Sequence, residues 1–335
     1  MLFLHFFFSL LACIQPSAQI TYVCNSNTVC GCSKNSASVT KIVGGETAPI
    51  NTWGWVVSLL INEEWLCGGT ILSNSWILTA AHCVENINPS QVIISAATDQ
   101  LLGMKQWRQG SSVILHPQYN DTLLQNDIAL IQVSPSFNMT DESISKICLP
   151  ISTTEDYPPI NSTLVAIGWG ELQENGTISD TLQQVTLKRI QYDSFACYLL
   201  INNETMQFCA GDLNGGKDTC NGDSGGPLMM FTSSQQWVVV GITSYGYGCA
   251  RAYLPGVYTR VAYYLDWIRS MNVTGAITVD IVTTTTMATS SIMNMIATLT
   301  DNRSNSTNGS LSCYPFFYTL YIIAPILFYF ILILS

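Results

Sequence analysis

Between residues 42 and 272 the apolar stretches are short and β-rich, and clusters of Gly, Pro, Asn and Ser separate them. Examples are residues 55–60, 91–94, 128–131, 164–167 and 237–240. Many short strands at such spacing predict an all-β sandwich or barrel. One helix is expected at the end, over residues 263–271, where Tyr264, Trp267, Ile268 and Met271 fall on one face. No internal repeat of 20–50 residues interrupts this pattern.

What surrounds this compact part points to the secretory route. Residues 1–15 are an apolar run followed by the small residues Ser17 and Ala18, the pattern of a signal peptide cut after Ala18. Twelve cysteines among 335 residues point to an oxidising compartment. Nine N-x-Ser/Thr sequons, at Asn120, Asn138, Asn161, Asn175, Asn203, Asn272, Asn302, Asn305 and Asn308, fit an extracellular glycoprotein. Lys and Arg number 12 against 22 Asp and Glu, a formal net charge of −10, so no cationic surplus exists to displace counterions from nucleic acid.

Residues 19–41 are polar and hold Cys24, Cys30 and Cys32, and residues 42–272 are the compact part. Residues 273–312, rich in Thr, Ser and Asn, read as a solvated stalk. Residues 313–335 close the chain with an apolar run and no charged residue after Arg303. That run is either a transmembrane span or the tail of a glycolipid-anchor signal, for which residues 304–310 supply the small residues. Cysteine parity favours the anchor signal, since removing the tail removes Cys313.

Once the signal peptide is cut, only His82 and His116 remain as histidines. His82 lies in Thr79-Ala80-Ala81-His82-Cys83, Asp127 in Asn126-Asp127-Ile128-Ala129-Leu130, and Ser224 in Gly222-Asp223-Ser224-Gly225-Gly226-Pro227. Acyl transfer by a serine needs a base near neutral pKa, a carboxylate that fixes the tautomer of that base, and backbone donors for the oxyanion. The chain supplies each in a well-marked setting, and the glycines around Ser224 allow a sharp turn that aims N–H groups at one point. His116, followed by Pro117, reads as part of a surface turn rather than as a rival base.

With Ile42-Val43-Gly44-Gly45, these segments resemble the trypsin/chymotrypsin family of serine proteases over about residues 42–272, in the order His, Asp, Ser. The resemblance implies two six-stranded antiparallel β-barrels with a C-terminal helix and the site between them. It implies Ser224 as nucleophile, His82 as general base, Asp127 as its orienting carboxylate, and the Gly222 and Ser224 N–H groups as oxyanion hole. Asp218, six residues before Ser224, matches the floor of the specificity pocket in members that cleave after Arg or Lys. Ser244, Gly246 and Gly256 match its walls. Tyr245 and Asn221 stand where the family usually has Trp and Gln, which leaves the subsites beyond the cleaved residue open.

The resemblance further implies a zymogen cut after Lys41, whose new Ile42 ammonium pairs with Asp223. Family pairing joins Cys67 to Cys83, Cys197 to Cys209 and Cys220 to Cys249, and ties Cys148 to the propeptide through Cys30 or Cys32. No cofactor or metal is expected: the stretch matching the calcium loop of some trypsins, residues 96–110, holds Asp99 and no Glu. Expected partners are protein or peptide substrates with Arg or Lys at the cleavage site, and protein protease inhibitors. The expected location is the outer face of the plasma membrane.

Overall fold

The computed structural model describes residues 19–25, 27–40, 45–103, 105–151 and 157–279. The signal peptide, the Lys41–Ile42 bond, residues 280–312 and the apolar tail lie outside the described residues. Among the described residues no helix is long and apolar enough to cross a membrane.

Residues 19–40 form a small ordered unit. β1 (Gln19–Tyr22) pairs antiparallel with β2 (Ala37–Thr40), with Gln19 opposite Thr40. The loop between them is stapled by Cys24–Cys32 and tied by Cys30–Cys148 to the residue just before β10 (Leu149–Pro150). Tyr22 packs its ring edge-on against Phe231 and Trp237, at 5.2 and 5.0 Å between centroids. β3 (Glu46–Thr47) follows and adds to an edge of the second barrel described below.

The first barrel is built from β4 (Val56–Ile61), β5 (Trp65–Ile71), β6 (Trp76–Thr79), β7 (Val92–Ala96), β8 (Gln106–Leu115) and β9 (Ala129–Ser134). Its strand order is β4-β5-β6-β9-β8-β7, and β7 pairs back onto β4. Val, Ile and Leu dominate β4, β6 and β9, and their apolar side chains are buried apart from Leu60. Branched side chains pack well on a pleated surface, and closing the sheet removes unpaired edges. One turn of helix, α1 (Ala81–Val84), follows β6 and carries His82.

A linker with β10 (Leu149–Pro150) leads to the second barrel. This comprises β11 (Thr163–Gly168), β12 (Gln183–Ile190), β13 (Gln207–Gly211), β14 (Pro227–Phe231), β15 (Trp237–Tyr245) and β16 (Gly256–Arg260). The order is β11-β14-β15-β16-β13-β12, with β12 pairing back onto β11. A short helix, α2 (Phe195–Tyr198), lies between β12 and β13. Two closed six-stranded antiparallel barrels are thus present, as the resemblance implied.

The expected terminal helix divides into a 3-10 turn, Val261–Tyr264, and α3 (Leu265–Ser270). Its apolar face is the one the periodicity marks: Tyr264 and Ile268 are buried, and Trp267 and Met271 pack partly against the same core. His116 is held there too, its ring 5.2 Å from those of Tyr264 and Trp267. The compact part also runs further than residue 272. β17 (Thr278–Val279) pairs parallel with β10, and the Leu149 N–H donates to the Ile277 carbonyl at 2.8 Å. Val273, Ala276, Ile277 and Val279 pack on the core, so the first residues assigned to the stalk belong to the fold. Apolar side chains at that spacing gain more from burial than a solvated stalk offers them.

Candidate active site

Asp127 occupies the turn that enters β9 and is fully buried. A buried carboxylate is costly unless hydrogen bonds satisfy it. Here three donors do so: the His82 backbone N–H at 2.9 Å on Oδ1, and the His82 ring at 2.8 Å with the Ser244 hydroxyl at 2.5 Å on Oδ2. The Asp127 carbonyl accepts from the Thr259 hydroxyl at 2.8 Å, and the Tyr264 hydroxyl reaches Asn126 Oδ1 at 3.1 Å. Strands of the second barrel and the terminal turn therefore fix a carboxylate that belongs to the first barrel. Bonding through Nδ1 leaves the Nε2 edge of His82 free to face a proton donor.

His82 is about one quarter exposed. Desolvation alone would depress its pKa, but the charge of Asp127 and the hydrogen bond to it prevail and raise the pKa above 6.5. Its Nε2 lies 3.7 Å from the Cys83 sulfur, which in turn is 3.6 Å from the Ser224 carbonyl oxygen. Among the described residues no hydrogen bond joins His82 to the Ser224 hydroxyl. Hydrogen bonds between a base and its nucleophile are often formed only once substrate arrives.

The turn that presents Ser224 is anchored on both sides. Its carbonyl accepts from the Gly68 N–H at 2.7 Å, the Gly225 N–H donates to the Thr243 carbonyl at 2.8 Å, and the Gly226 N–H donates to Asp223 at 2.9 Å. Gly225 has φ +77° and an added Cβ would lie 2.2 Å from Thr79 Oγ1, so only glycine fits. Gly222 has φ +94°. Among the described residues neither the Gly222 nor the Ser224 N–H donates to a protein group, which leaves both free for an incoming oxyanion.

Beside Ser224 lies a cavity of about 420 Å³ that Asp218, Ser244, Gly246 and Gly256 also line. Asp218 accepts from the Thr219 N–H at 2.9 Å and the Ala250 N–H at 3.1 Å. Desolvation pushes its carboxyl up to about 7, with a smaller push from the Asp223 charge, and the backbone donors do not offset it. A Cβ on Gly256 would lie 2.9 Å from Asp218 Oδ1, and one on Gly246 would lie 3.9 Å from the Gly256 Cα. Both glycines thus leave the way to the carboxylate open. A larger cavity of about 650 Å³, between the β1–β2 hairpin and β12, holds none of these residues.

Asp223 points away from this cavity. Its carboxylate accepts from the Gly170 N–H at 2.8 Å and the Cys220 N–H at 2.9 Å. Cβ atoms on Gly168 and Gly170 would fall 2.1 and 2.5 Å from it, so it is closely enclosed, and that desolvation raises its pKa to about 6. Lys41 and Ile42 lie outside the described residues.

All seven cysteines of residues 42–272 form disulfides: Cys67–Cys83, Cys197–Cys209, Cys220–Cys249 and the Cys148 link to Cys30. Cys67, His82 and Cys83 cluster closely enough to suggest a metal site, but a disulfide offers no thiolate to a metal. Sequence reasoning placed Ser244 as a pocket wall only, and its bond to Asp127 was not foreseen. Thr259, Tyr264 and the Glu174–Arg251 ion pair at the cavity mouth were missed, since no local motif marks them. Tyr245 and Asn221, the two unusual positions, find their own partners: the Tyr245 hydroxyl donates to the Leu200 carbonyl at 2.7 Å and the Asn221 amide to Glu171 at 3.1 Å.

Comparison with known proteins agrees with this geometry. The family model described as Trypsin matches residues 42–268. Transmembrane protease serine 9 of Rattus norvegicus is 37% identical over 257 residues, 76% of this chain and 24% of that protein. Transmembrane protease serine 11G of Rattus norvegicus and of Mus musculus are each 32% identical over 256 residues, 76% of this chain and 60% of theirs. The chain thus matches from about a quarter to three fifths of the length of these relatives. With two antiparallel barrels and a match that spans the His82, Asp127 and Ser224 segments, the chain belongs to the trypsin family of serine proteases.

Proposed function

We propose that the protein is an endopeptidase of the cell surface, made as a zymogen, that hydrolyses peptide bonds after Arg or Lys. The observation that carries this reading is Asp218: a partly buried carboxylate, without a cationic partner among the described residues, in the same cavity as Ser224. A substrate guanidinium or ammonium would supply the missing charge.

In this reading the Ser224 hydroxyl attacks the scissile carbonyl while His82 Nε2 takes its proton. Asp127 holds the His82 tautomer and stabilises the imidazolium, and the Gly222 and Ser224 N–H groups receive the oxyanion. His82 then gives its proton to the leaving amine, and water repeats the sequence on the acyl-enzyme. The zymogen reading rests on Asp223. Its enclosed carboxylate borders a cavity of about 60 Å³ that Gly168, Gly170, Val185 and Gly45 help line, the last of them close in sequence to Ile42. An Ile42 ammonium released by a cut after Lys41 would neutralise it and hold the oxyanion turn. Cys30–Cys148 would keep the propeptide attached after that cut.

The names of the relatives, the sequons and the apolar tail support a membrane-tethered glycoprotein, through a glycolipid anchor or a single span. Protein inhibitors that present Arg or Lys to Asp218 are expected partners. The test compares matched peptide substrates ending in Arg, Lys or Leu on the activated enzyme. Ser224→Ala should abolish turnover while the protein still folds, and Asp218→Ser should lose orders of magnitude on cationic substrates alone. Equal wild-type rates on Arg and Leu substrates would overturn the specificity.

A further inference from the structure

The sequon Asn175-Gly176-Thr177 lies at the substrate cavity. Asn175 is exposed and lines the same cavity as Ser224 and Asp218. It sits at the tip of a small hairpin: Glu171 bridges to Ile178, the Leu172 N–H donates to the Thr177 carbonyl at 3.2 Å, and the Gly176 N–H donates to Gln173 at 2.8 Å. Asn175 itself has φ +57°, a left-handed conformation that asparagine tolerates better than most residues.

Both ends of this hairpin are strapped across the cavity. At its base the Glu171 N–H donates to the Asn221 carbonyl at 2.8 Å, directly before Gly222. At its tip Glu174 accepts two bonds from the Arg251 guanidinium, one of them from Nε at 2.7 Å. The clamp lies tightly over Gly248, where an added Cβ would fall 2.4 Å from Arg251 Nε and 2.8 Å from Glu174 Oε2. The Asn175 amide is therefore held at a set place on the rim. Leu172 and Ile178 of the same hairpin are exposed apolar side chains that a sugar chain would shield.

We infer that Asn175 carries an N-linked glycan that screens the mouth of the substrate cavity, slowing folded protein substrates and protein inhibitors while admitting short peptides. The modification needs a lipid-pyrophosphate-linked oligosaccharide as donor. The Asn175 amide nitrogen bonds to the anomeric carbon, the bond from that carbon to the pyrophosphate oxygen breaks, and the lipid pyrophosphate leaves with the amide proton. Five disulfides place the chain in the compartment where such donors act. A glycan on a surface turn is bulky and hydrated, so it excludes a folded partner from the rim more than an extended tripeptide.

The inference rests on the protease reading above, and its test separates the two. The full chain is secreted from a glycosylating cell, activated, and mapped for the glycopeptide at Asn175. Thr177→Ala removes the sequon and leaves Asn175 and the rest of the cavity lining in place. Against wild type, kcat/KM on an arginyl tripeptide anilide should stay within about twofold, while the association rate of a Kunitz-type protein inhibitor should rise about tenfold. As a check independent of how the variant folds, endoglycosidase treatment of the folded wild-type enzyme should reproduce that rise and add nothing to Thr177→Ala. An unmodified Asn175, unchanged inhibitor rates, or an equal response of Thr177→Ala to the endoglycosidase would each overturn the glycan screen. Tripeptide hydrolysis that persists in Ser224→Ala would instead overturn the protease reading.

Discussion

Binding of a small aromatic amidinium should depend on pH through Asp218. The carboxyl stands at about 7 in the free protein against an ordinary 3.8, chiefly because its cavity desolvates it. An amidinium binds the ionised form, so every molecule that is protonated must first lose its proton. The apparent dissociation constant then scales as one plus the ratio of protonated to ionised Asp218. Between about pH 8 and pH 5 affinity should fall roughly 100-fold, near 2.7 kcal/mol, at about 1.36 kcal/mol per pH unit below the pKa. A carboxyl at its ordinary value would change affinity by less than about 1.1-fold over that range. Calorimetry in two buffers of different ionisation enthalpy measures both the constant and the proton released, which should approach one per site at about pH 6. Asp218→Asn should bind weakly with a flat profile. His82→Gln should keep the slope, which separates Asp218 from the His82 imidazole. Flat wild-type affinity between pH 5 and 8, or a slope that survives Asp218→Asn, would refute the reasoning.

Three further outcomes follow from the same geometry. Ser244→Ala removes one of the three donors to buried Asp127 and should lower kcat about tenfold, with Ser224 still labelled by a phosphonylating reagent; unchanged kcat would deny that bond a role. Asp218, Asp223 and His82 all have folded pKa values above their ordinary ones, so their stabilising contribution is full below the unfolded values and is lost as pH rises through the folded ones. The thermal midpoint of the uncut Lys41→Gln chain should therefore decline from about pH 5 to pH 8, and Asp218→Asn should flatten part of the decline. Gly225→Ala, at φ +77° with Thr79 Oγ1 2.2 Å from the new Cβ, should destabilise by on the order of 1–3 kcal/mol or more and abolish turnover; a stable, active variant would show that the turn is not confined as described.

Several features of this protein could be read from residues alone because their causes are local. The Ser224 turn is one: glycines at 222 and 225 are needed by backbone angles that other residues rarely adopt, so the motif carries its own conformation. The terminal helix is another, since the apolar spacing of Tyr264, Trp267, Ile268 and Met271 names its buried face before any partner is known. Cysteine number likewise points to disulfide bonding, and five disulfides form among the described residues. Two N-terminal cysteines, Cys30 and Cys32, are equally open partners for Cys148 from residues alone, and the fold decides between them: Gly31, at φ +70°, accepts a backbone bond from the Trp237 N–H, donates one to the Lys146 carbonyl, and sets Cys30 against Cys148.

What surrounds the site depends on contacts between residues far apart in the chain. Ser244 reaches Asp127 across a sequence separation of 117, and Thr259 across 132, because β15 and β16 of the second barrel run past the turn that enters β9 of the first. The raised carboxyls of Asp218 and Asp223 come from enclosure by strands and turns that only closed barrels bring together. The Glu174–Arg251 clamp joins two loops 77 residues apart, and nothing adjacent to either residue announces it. Strand register and barrel closure set these distances, and they minimise the free energy of the whole packed core. A local segment fixes its own turns and its own buried face, whereas the partner across a barrel is chosen by the sum of all pairings at once.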